Sequence, residues 1–264
     1  MKLSGVVTCF NSAETLARCL ASLHFCDEII VLDSGSSDAS VAIAKAHGAA
    51  VHVQAFAGYT KQKSAVIALA QYPWIILLDS DERLAAGTET LIRAAILHTE
   101  VAGFRLPRRE RIFWRYAHPN TRSNDFLRLF LRDQVQMSAH AVHESPIVTG
   151  KTAKLAALIW HNGERSIALK ADKLNQYSSL ALADWKRQKH PGFLRLTLYP
   201  LWYFFRAYVL KRQFLNGWAG YINSVELAHY AFLKYAKRLE ALQAPIRDPE
   251  PVSTRKDQAT ETPP

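Results

Sequence analysis

Cysteine is scarce in this chain of 264 residues: there are three, Cys9, Cys19 and Cys26, none in a C-x-x-C pair. An odd number at such spacing argues against a disulfide framework and a zinc site, and predicts free buried thiols in a reducing compartment. Long apolar runs are also missing. The most apolar stretch, FLRLTLYPLWYFF, is uncharged only between Arg195 and Arg206, far short of the ~20 residues of a membrane-spanning helix. The opening MKLSGVVTCFNS holds too short an apolar run for a signal peptide, so export is not expected. No G-x-G-x-x-G follows the first apolar run, which disfavours a dinucleotide-binding dehydrogenase. No helix-turn-helix, zinc or RNA-binding signature supports nucleic acid as a partner, and no internal repeat is present.

What is present is ordinary in amount and uneven in placement. With 49% hydrophobic and 21% charged residues, the composition is that of a folded globular protein. The length suits one large domain or a domain with a smaller appendage. Residues 1–100 hold 7 basic and 10 acidic side chains, a net of −3; residues 101–245 hold 23 and 9, a net of +14; residues 246–264 hold 3 and 4. The overall charge of +10 therefore belongs to the second half. Such a field faces polyanions as a class, whether nucleic acid, anionic lipid or phosphorylated glycan.

Leu3 to Thr8 is a β-branched run closed by Asn11-Ser12. After it, Leu16, Cys19, Leu20 and Leu23 recur at spacings of three and four, the inner face of a helix. A second run, Glu28 to Leu32, stops at Asp33, and Ser36-Ser37-Asp38 caps a helix expected to reach about His47. Ala50 to Gln54 reads as a strand, Lys61 to Gln71 as a helix, and Trp74 to Leu78 as a strand ending at Asp79. This alternation predicts an α/β fold with a parallel sheet of βαβ units. Beyond Leu106 the pattern loosens: residues 105–132 hold eight arginines among aromatics, with short strands expected around Phe126–Leu131 and Ile147–Thr149. Helices are expected over 166–189, 193–210 and 218–242, and a disordered proline-rich tail over 246–264. The helix at 193–210 has two readings. It suits an in-plane interfacial helix, aromatic and flanked by Arg195, Arg206, Lys211 and Arg212, or a helix packed on the α/β domain.

In open α/β sheets, ligands bind beyond the carboxyl ends of the strands. That rule singles out Thr8 with Asn11, Asp33-Ser34-Gly35, and Asp79-Ser80-Asp81. Asp79 and Asp81 place several hard oxygens at one mouth. Without a cation they repel, so the pair suits Mg²⁺ or Mn²⁺ held jointly with a phosphate, against the plainer reading of a capping or solvated cluster. Asp33 precedes a glycine suited to positive φ, and its carboxylate can accept a base N–H or a ribose hydroxyl while Ser36 or Asp38 caps the next helix. Lys61 and Lys63 can reach a diphosphate and offset leaving-group charge, or be solvated at a helix start.

Taken together, VVTCFNSAETLARCLASL, EIIVLDSGSSDAS and IILLDSDE resemble the family 2 inverting glycosyltransferases of the GT-A fold. Those enzymes pair a nucleotide-binding Asp in a D-x-G-S-x-D loop with a metal-binding D-x-D. GYTKQKSAVIAL, VHES, HNGERSIALKADKLNQYSSLA and FLNGWAGYINS…FLKYAK resemble the lipopolysaccharide inner-core β-1,4-glucosyltransferases, which move glucose from UDP-glucose to a heptose. The resemblance runs from Leu3 to Arg238. It implies a Rossmann-like, mostly parallel sheet flanked by helices, with a nucleotide-sugar and acceptor domain over 1–165 and a helical, membrane-surface extension over 166–245. It implies that Thr8, Phe10 and Asn11 line the nucleoside pocket, that Asp33 holds the uracil, that Asp79 contacts ribose or metal, and that Asp81 ligates the metal bridging the diphosphate. One departure is visible: Asn11-Ser12 stands where the family usually has Asn-Glu, so the lost contact either weakens nucleotide binding or is replaced by Glu14.

Inverting transfer is a single in-line displacement through an oxocarbenium-like transition state, and it needs a general base. The family's E-D pair is not found here, so Glu144 in VHES takes that role, with His143 and the His161 of IWHNG as candidate metal ligands or diphosphate contacts. The expected activity is transfer of a hexose from UDP-hexose to a heptose of the lipopolysaccharide inner core. The acceptor's phosphates would lie among the arginines, and the protein would sit peripherally on the cytoplasmic face of the inner membrane. The rivals are a family 2 enzyme acting on a polyprenyl-phosphate or capsule precursor and, from another class, a non-catalytic anionic-lipid or nucleic-acid binder.

Overall fold

The computed structural model describes residues 1–97, 100–138, 145–183 and 191–243. The tail expected over 246–264 lies outside them. The chain opens with β1 (Leu3–Cys9), α1 (Ala13–Ala21), β2 (Glu28–Asp33), α2 (Ser40–Ala46), β3 (Ala50–Val53), α3 (Tyr59–Leu69) and β4 (Trp74–Asp79). These four strands are parallel, in the order β3-β2-β1-β4. Strand alternation sends successive side chains to opposite faces, and both faces are covered. Val7, Trp74, Ile76 and Leu78 join Leu16, Cys19, Leu20 and Leu23 in one core. Val6, Ile75 and Leu77 join Val66 and Ile67 of α3 in the other. A strand buried on both faces must be apolar throughout, which is why WIILLD reads as an unbroken run. Cys9 and Cys19 are buried, Cys26 is half-buried, and all three are free thiols.

The sheet continues through elements that the sequence hid. Next come β5 (Glu82–Leu84), α4 (Thr88–Leu97), β6 (Gly103–Ile112), β7 (Arg115–Tyr116), β8 (Asp125–Leu131), β9 (Val135–Met137), β10 (Pro146–Val148), β11 (Thr152–Lys154) and β12 (Ile159–Glu164). Beyond β4 the order is β8-β6-β12-β5. Strands β8 and β5 run antiparallel to their neighbours, and β12 runs parallel to β6. The parallel sheet expected from βαβ alternation is thus the first half of a larger mixed one. Strand β11 adds to the start of β6, β7 turns back on its end, and β9 pairs with β10 separately.

Three helices follow: α5 (Ile167–Ala183), α6 (Phe193–Phe205) and α7 (Gly217–Ala241). Buried polar contacts tie this bundle to the sheet domain. Asn216, 1% exposed, accepts the His118 N–H at 2.7 Å and donates to Thr121 Oγ1 at 3.0 Å. Buried Lys170 of α5 donates to Asn223 Oδ1 of α7 and faces the Phe113 ring at the turn after β6. A Cβ at Gly220 would collide with the Gln213 carbonyl, so glycine there lets α7 start against the preceding turn. Helix α6 buries none of its own residues. It packs on α7, with Tyr199 edge-on to Tyr235 and Phe204 edge-on to Tyr221. After Phe205 the helix widens, and Lys211 N–H bonds back to Arg206 at 2.9 Å. No described helix is long and apolar enough to cross a membrane.

Candidate active site

Register brings three strand ends together. Thr8 lies opposite both Leu32 and Asp79, and Cys9 opposite Asp33. The loops that follow are stitched by short polar side chains. Asn11 sits at φ 44°, its N–H donates to Ser36 Oγ at 2.8 Å, and its Oδ1 accepts the Ser37 N–H at 2.9 Å. Ser12 N–H donates to Ser40 Oγ at 2.8 Å, and Ala13 N–H to Asp38 Oδ2 at 3.0 Å. Ser12 and Ser80 share a hydroxyl bond of 2.8 Å. Ser12 therefore links the first loop to the residue between the two aspartates. Glu14, the possible substitute for the family's glutamate, pairs with Arg165.

Asp33 behaves differently from the expectation that it faces a ligand while neighbours cap the turn. It is 1% exposed, its Oδ2 accepts the N–H groups of Gly35 and Ser36 at 2.9 and 2.8 Å, and its Oδ1 accepts the Ser36 hydroxyl. Gly35, at φ 91°, supplies the left-handed turn that brings those donors round. Asp33 thus organises its own loop. Phe10 stands 58% exposed beside it, and Thr8 is half-buried.

Between the aspartates and the second half of the sheet runs a continuous chain of alternating charge. Lys63 Nζ meets Asp79 at 3.0 Å, and Arg128 bridges Asp79 and Glu82 at 2.7 Å each. Arg108 bridges Glu82 and Glu110 at 2.8 Å each. His161 then bridges Glu110, through Nδ1, and Asp81, through Nε2 at 3.2 Å. The row follows from register, since Glu82, His161 and Glu110 are Cα partners across β5, β12 and β6. Burial by itself would favour the neutral form of each group, and the partners outweigh it. Arg128 and Lys63 hold the Asp79 carboxyl well below the usual carboxylate range. Bonds to His161 lower Asp81 and Glu110, and the two carboxylates push His161 up to about 10. Both contacts favour the protonated form of the His161 ring.

Asp79, expected as a second metal ligand or ribose contact, is not offered to a metal in this arrangement, because both its oxygens are held by cations. Asp81 is more open: its side chain is 34% exposed and its partner is His161. Among the described residues no cluster of three or more His, Cys, Asp or Glu side chains is spaced to enclose a metal. A carboxylate and an imidazole together do fit Mg²⁺ or Mn²⁺ shared with a diphosphate, since such ions keep most of their coordination for water and phosphate. His161 would give up its Nε2 proton to act as a ligand, and Glu110 at Nδ1 would orient the ring. Gly163 makes room for it: a Cβ there would come within 2.5 Å of His161 Cε1.

Lys63 and Lys61 part company on α3. Lys63 is buried against Asp79, whereas Lys61 is exposed, as two positions on a helix place them on opposed faces. His143 and Glu144 lie outside the described residues. Glu82, Arg108, Glu110 and Arg128 were missed by sequence reading. Glu82 was visible inside LLDSDE, but its partners come from β6 and β8, whose pairing no local pattern reveals. From Asp79 a cleft of about 990 Å³ extends over β8 and the start of β6 toward β10 and β11. Lys63, Arg105, Arg108, Arg128 and Lys154 line it, with Asp79 and Asp125 as its acids.

A mostly parallel mixed sheet whose strand-end loops carry these residues, opening on a basic cleft, has the architecture of the GT-A fold. The chain belongs to glycosyl transferase family 2, whose sequence profile matches residues 4–144. It is 30% identical over 249 residues to the lipopolysaccharide core biosynthesis glycosyltransferase LpsC of Rhizobium meliloti, covering 90% of this chain and 92% of that one. An uncharacterized glycosyltransferase of Rickettsia felis is 30% identical over 263 residues, covering 91% and 90%. Among solved structures, residues 1–349 of S. aureus TarS in complex with UDP-GlcNAc superpose with a TM-score of 0.50 at 12% identity, covering 91% of this chain and 92% of that one. That likeness is one of fold. Family membership sets aside the expectation's non-catalytic rival.

Proposed function

We propose that this enzyme transfers a hexose, glucose from UDP-glucose, with inversion to a heptose of the lipopolysaccharide inner core, working peripherally on the cytoplasmic face of the inner membrane. The observation that carries the reading is the charge chain, which joins the Asp81–His161 pair at the strand ends to the basic cleft. The similarity to LpsC along nearly the whole chain supports a core-type acceptor.

In this reading the uridine lies against Thr8, Phe10 and the loop that Asp33 organises, and the diphosphate lies beside Asp81 and His161. A divalent ion bound there would neutralise charge developing on the leaving diphosphate. Lys63 adds a fixed positive charge on the same side, and Asp79 holds it in place. The acceptor occupies the cleft, and Glu144 takes the proton from the attacking hydroxyl. Helix α6 keeps the enzyme at the bilayer. Leu194, Leu198, Leu201, Trp202 and Phe205 are each at least 45% exposed on a helix that packs against α7, and cationic flanks suit anionic headgroups.

The test is a donor screen of the purified protein with truncated lipopolysaccharide acceptors, with and without EDTA, and with Asp81→Ala alongside. Glucose transfer from UDP-glucose, lost with EDTA and in Asp81→Ala while the melting temperature stays, is the expected result. Transfer only to polyprenyl phosphates would replace the acceptor, and near-normal turnover by Asp81→Ala would overturn the metal site.

A further inference from the structure

The far wall of the cleft carries more positive charge than its own acids answer. Arg105 on β6 and Lys154 on β11 are direct partners in the register of the two strands, and both line the cleft. Side chains at such partner positions stand on the same face of the sheet, so the two cationic heads are neighbours there. Lys154 Nζ reaches Asp125 at 2.7 Å. Arg105 is exposed and has no acidic partner among the described residues. Deeper in the same cleft, Arg128 is 5% exposed and is already held by Asp79 and Glu82.

We infer that this wall is an oxyanion subsite, with Arg105 and Lys154 as its ligating residues, that reads a phosphate or carboxylate carried by the acceptor glycan. The inference rests on the reading of the cleft as the acceptor site. A guanidinium and an ammonium side by side match such a group, with two parallel bonds from the arginine and a point charge from the lysine. The subsite is separate from the donor's diphosphate. Strand β6 lies two places from β4 in the sheet and β11 three, so at about 4.8 Å per strand the wall stands roughly 10–15 Å from the Asp79 strand. An anion there belongs to a sugar beside the one that receives the hexose. Charge matching at that distance selects the acceptor and sets its register, while the reacting hydroxyl is placed by the near end of the cleft.

Two measurements on the full chain decide it. In thermal unfolding, inorganic phosphate raises the melting temperature of the wild type, and Arg105→Gln combined with Lys154→Gln loses most of that rise; an equal rise in both proteins overturns the subsite. In kinetics, core acceptors are compared intact, with phosphates removed by hydrofluoric acid, and with carboxyl groups reduced. The treatment that strips the recognised group raises the wild-type acceptor KM about tenfold, the size expected for one charged hydrogen bond. In Arg105→Gln the same treatment changes KM less than twofold. A KM ratio in Arg105→Gln equal to that of the wild type overturns the proposal, and which treatment acts tells phosphate from carboxylate. If no core acceptor is turned over, the proposed reaction fails, while the phosphate melt still decides the subsite.

Discussion

Replacing Glu82 by glutamine removes one charge from the middle of the ion chain while keeping the side chain's shape. Glu82 is 1% exposed and accepts from Arg128 Nη2 at 2.7 Å, Arg108 Nη1 at 2.8 Å and the Asp79 N–H at 3.1 Å. Neutralising one member of a buried pair costs about 3–5 kcal/mol when the partner charge is left uncompensated. Here compensation survives in part: Arg128 keeps Asp79 at 2.7 Å, and Arg108 keeps Glu110 at 2.8 Å. The cost should therefore fall to about 2–3 kcal/mol. At roughly 2–4 °C per kcal/mol for a domain of this size, the melting temperature drops by about 4–12 °C. Circular dichroism melts of Glu82→Gln, of Arg128→Met and of the two combined supply the assay. The double variant should be less destabilised than the sum of the singles, by about 1 kcal/mol or more, because the pair is broken once. Additive effects, or a Glu82→Gln melt within about 1 °C of wild type, would show that the chain of charges is not a coupled unit.

Further outcomes follow from other parts of the molecule. Gly163→Ala places a methyl group where the His161 ring lies, so metal affinity measured by activity against Mn²⁺ concentration should fall about 10–100-fold; an unchanged metal dependence would remove His161 from the site. Glu144→Gln should retain UDP-sugar binding by calorimetry and lose transfer by at least ~100-fold, as removal of a general base does; a mild effect assigns the base elsewhere. Replacing exposed Leu201 and Trp202 by serine should lower binding to anionic vesicles at least tenfold, since each inserted side chain contributes about 1.5–3 kcal/mol, with the melting temperature unchanged. Equal sedimentation with vesicles would rule α6 out as the contact.

The first half of the fold was legible because its strands are apolar runs stopped by polar residues. LSGVVTC, EIIVLD and WIILLD end at the same edge of the sheet, and that edge is where sequence reasoning placed Thr8, Asp33, Asp79 and Asp81. Strand β6 was not legible. In GFRLPRRERI, charged side chains point both ways: Arg108 and Glu110 belong to the ion chain, while Arg109 stacks over Trp160. No alternation of apolar and polar residues marks such a strand, because its inward charges are compensated by partners far along the chain. Arg128 and Asp79 are 49 positions apart. The same separation explains why Asp79 read as an open metal ligand and emerged as a carboxylate held by two cations. Helix α6 had two readings of equal merit, since an apolar stripe looks alike whether it faces a core or a lipid.

The charge chain also divides how the enzyme responds to ionic strength. Its central pairs are enclosed, and enclosed pairs are screened far less than charges in water. Arg105 and Lys154 stand in solvent, and at 1 M salt the Debye length shrinks to about 3 Å. Salt should therefore weaken capture of an anionic acceptor while the catalytic geometry stays as it is, raising KM and sparing kcat. Rising salt would slow this enzyme by emptying it of acceptor, leaving the catalytic apparatus intact.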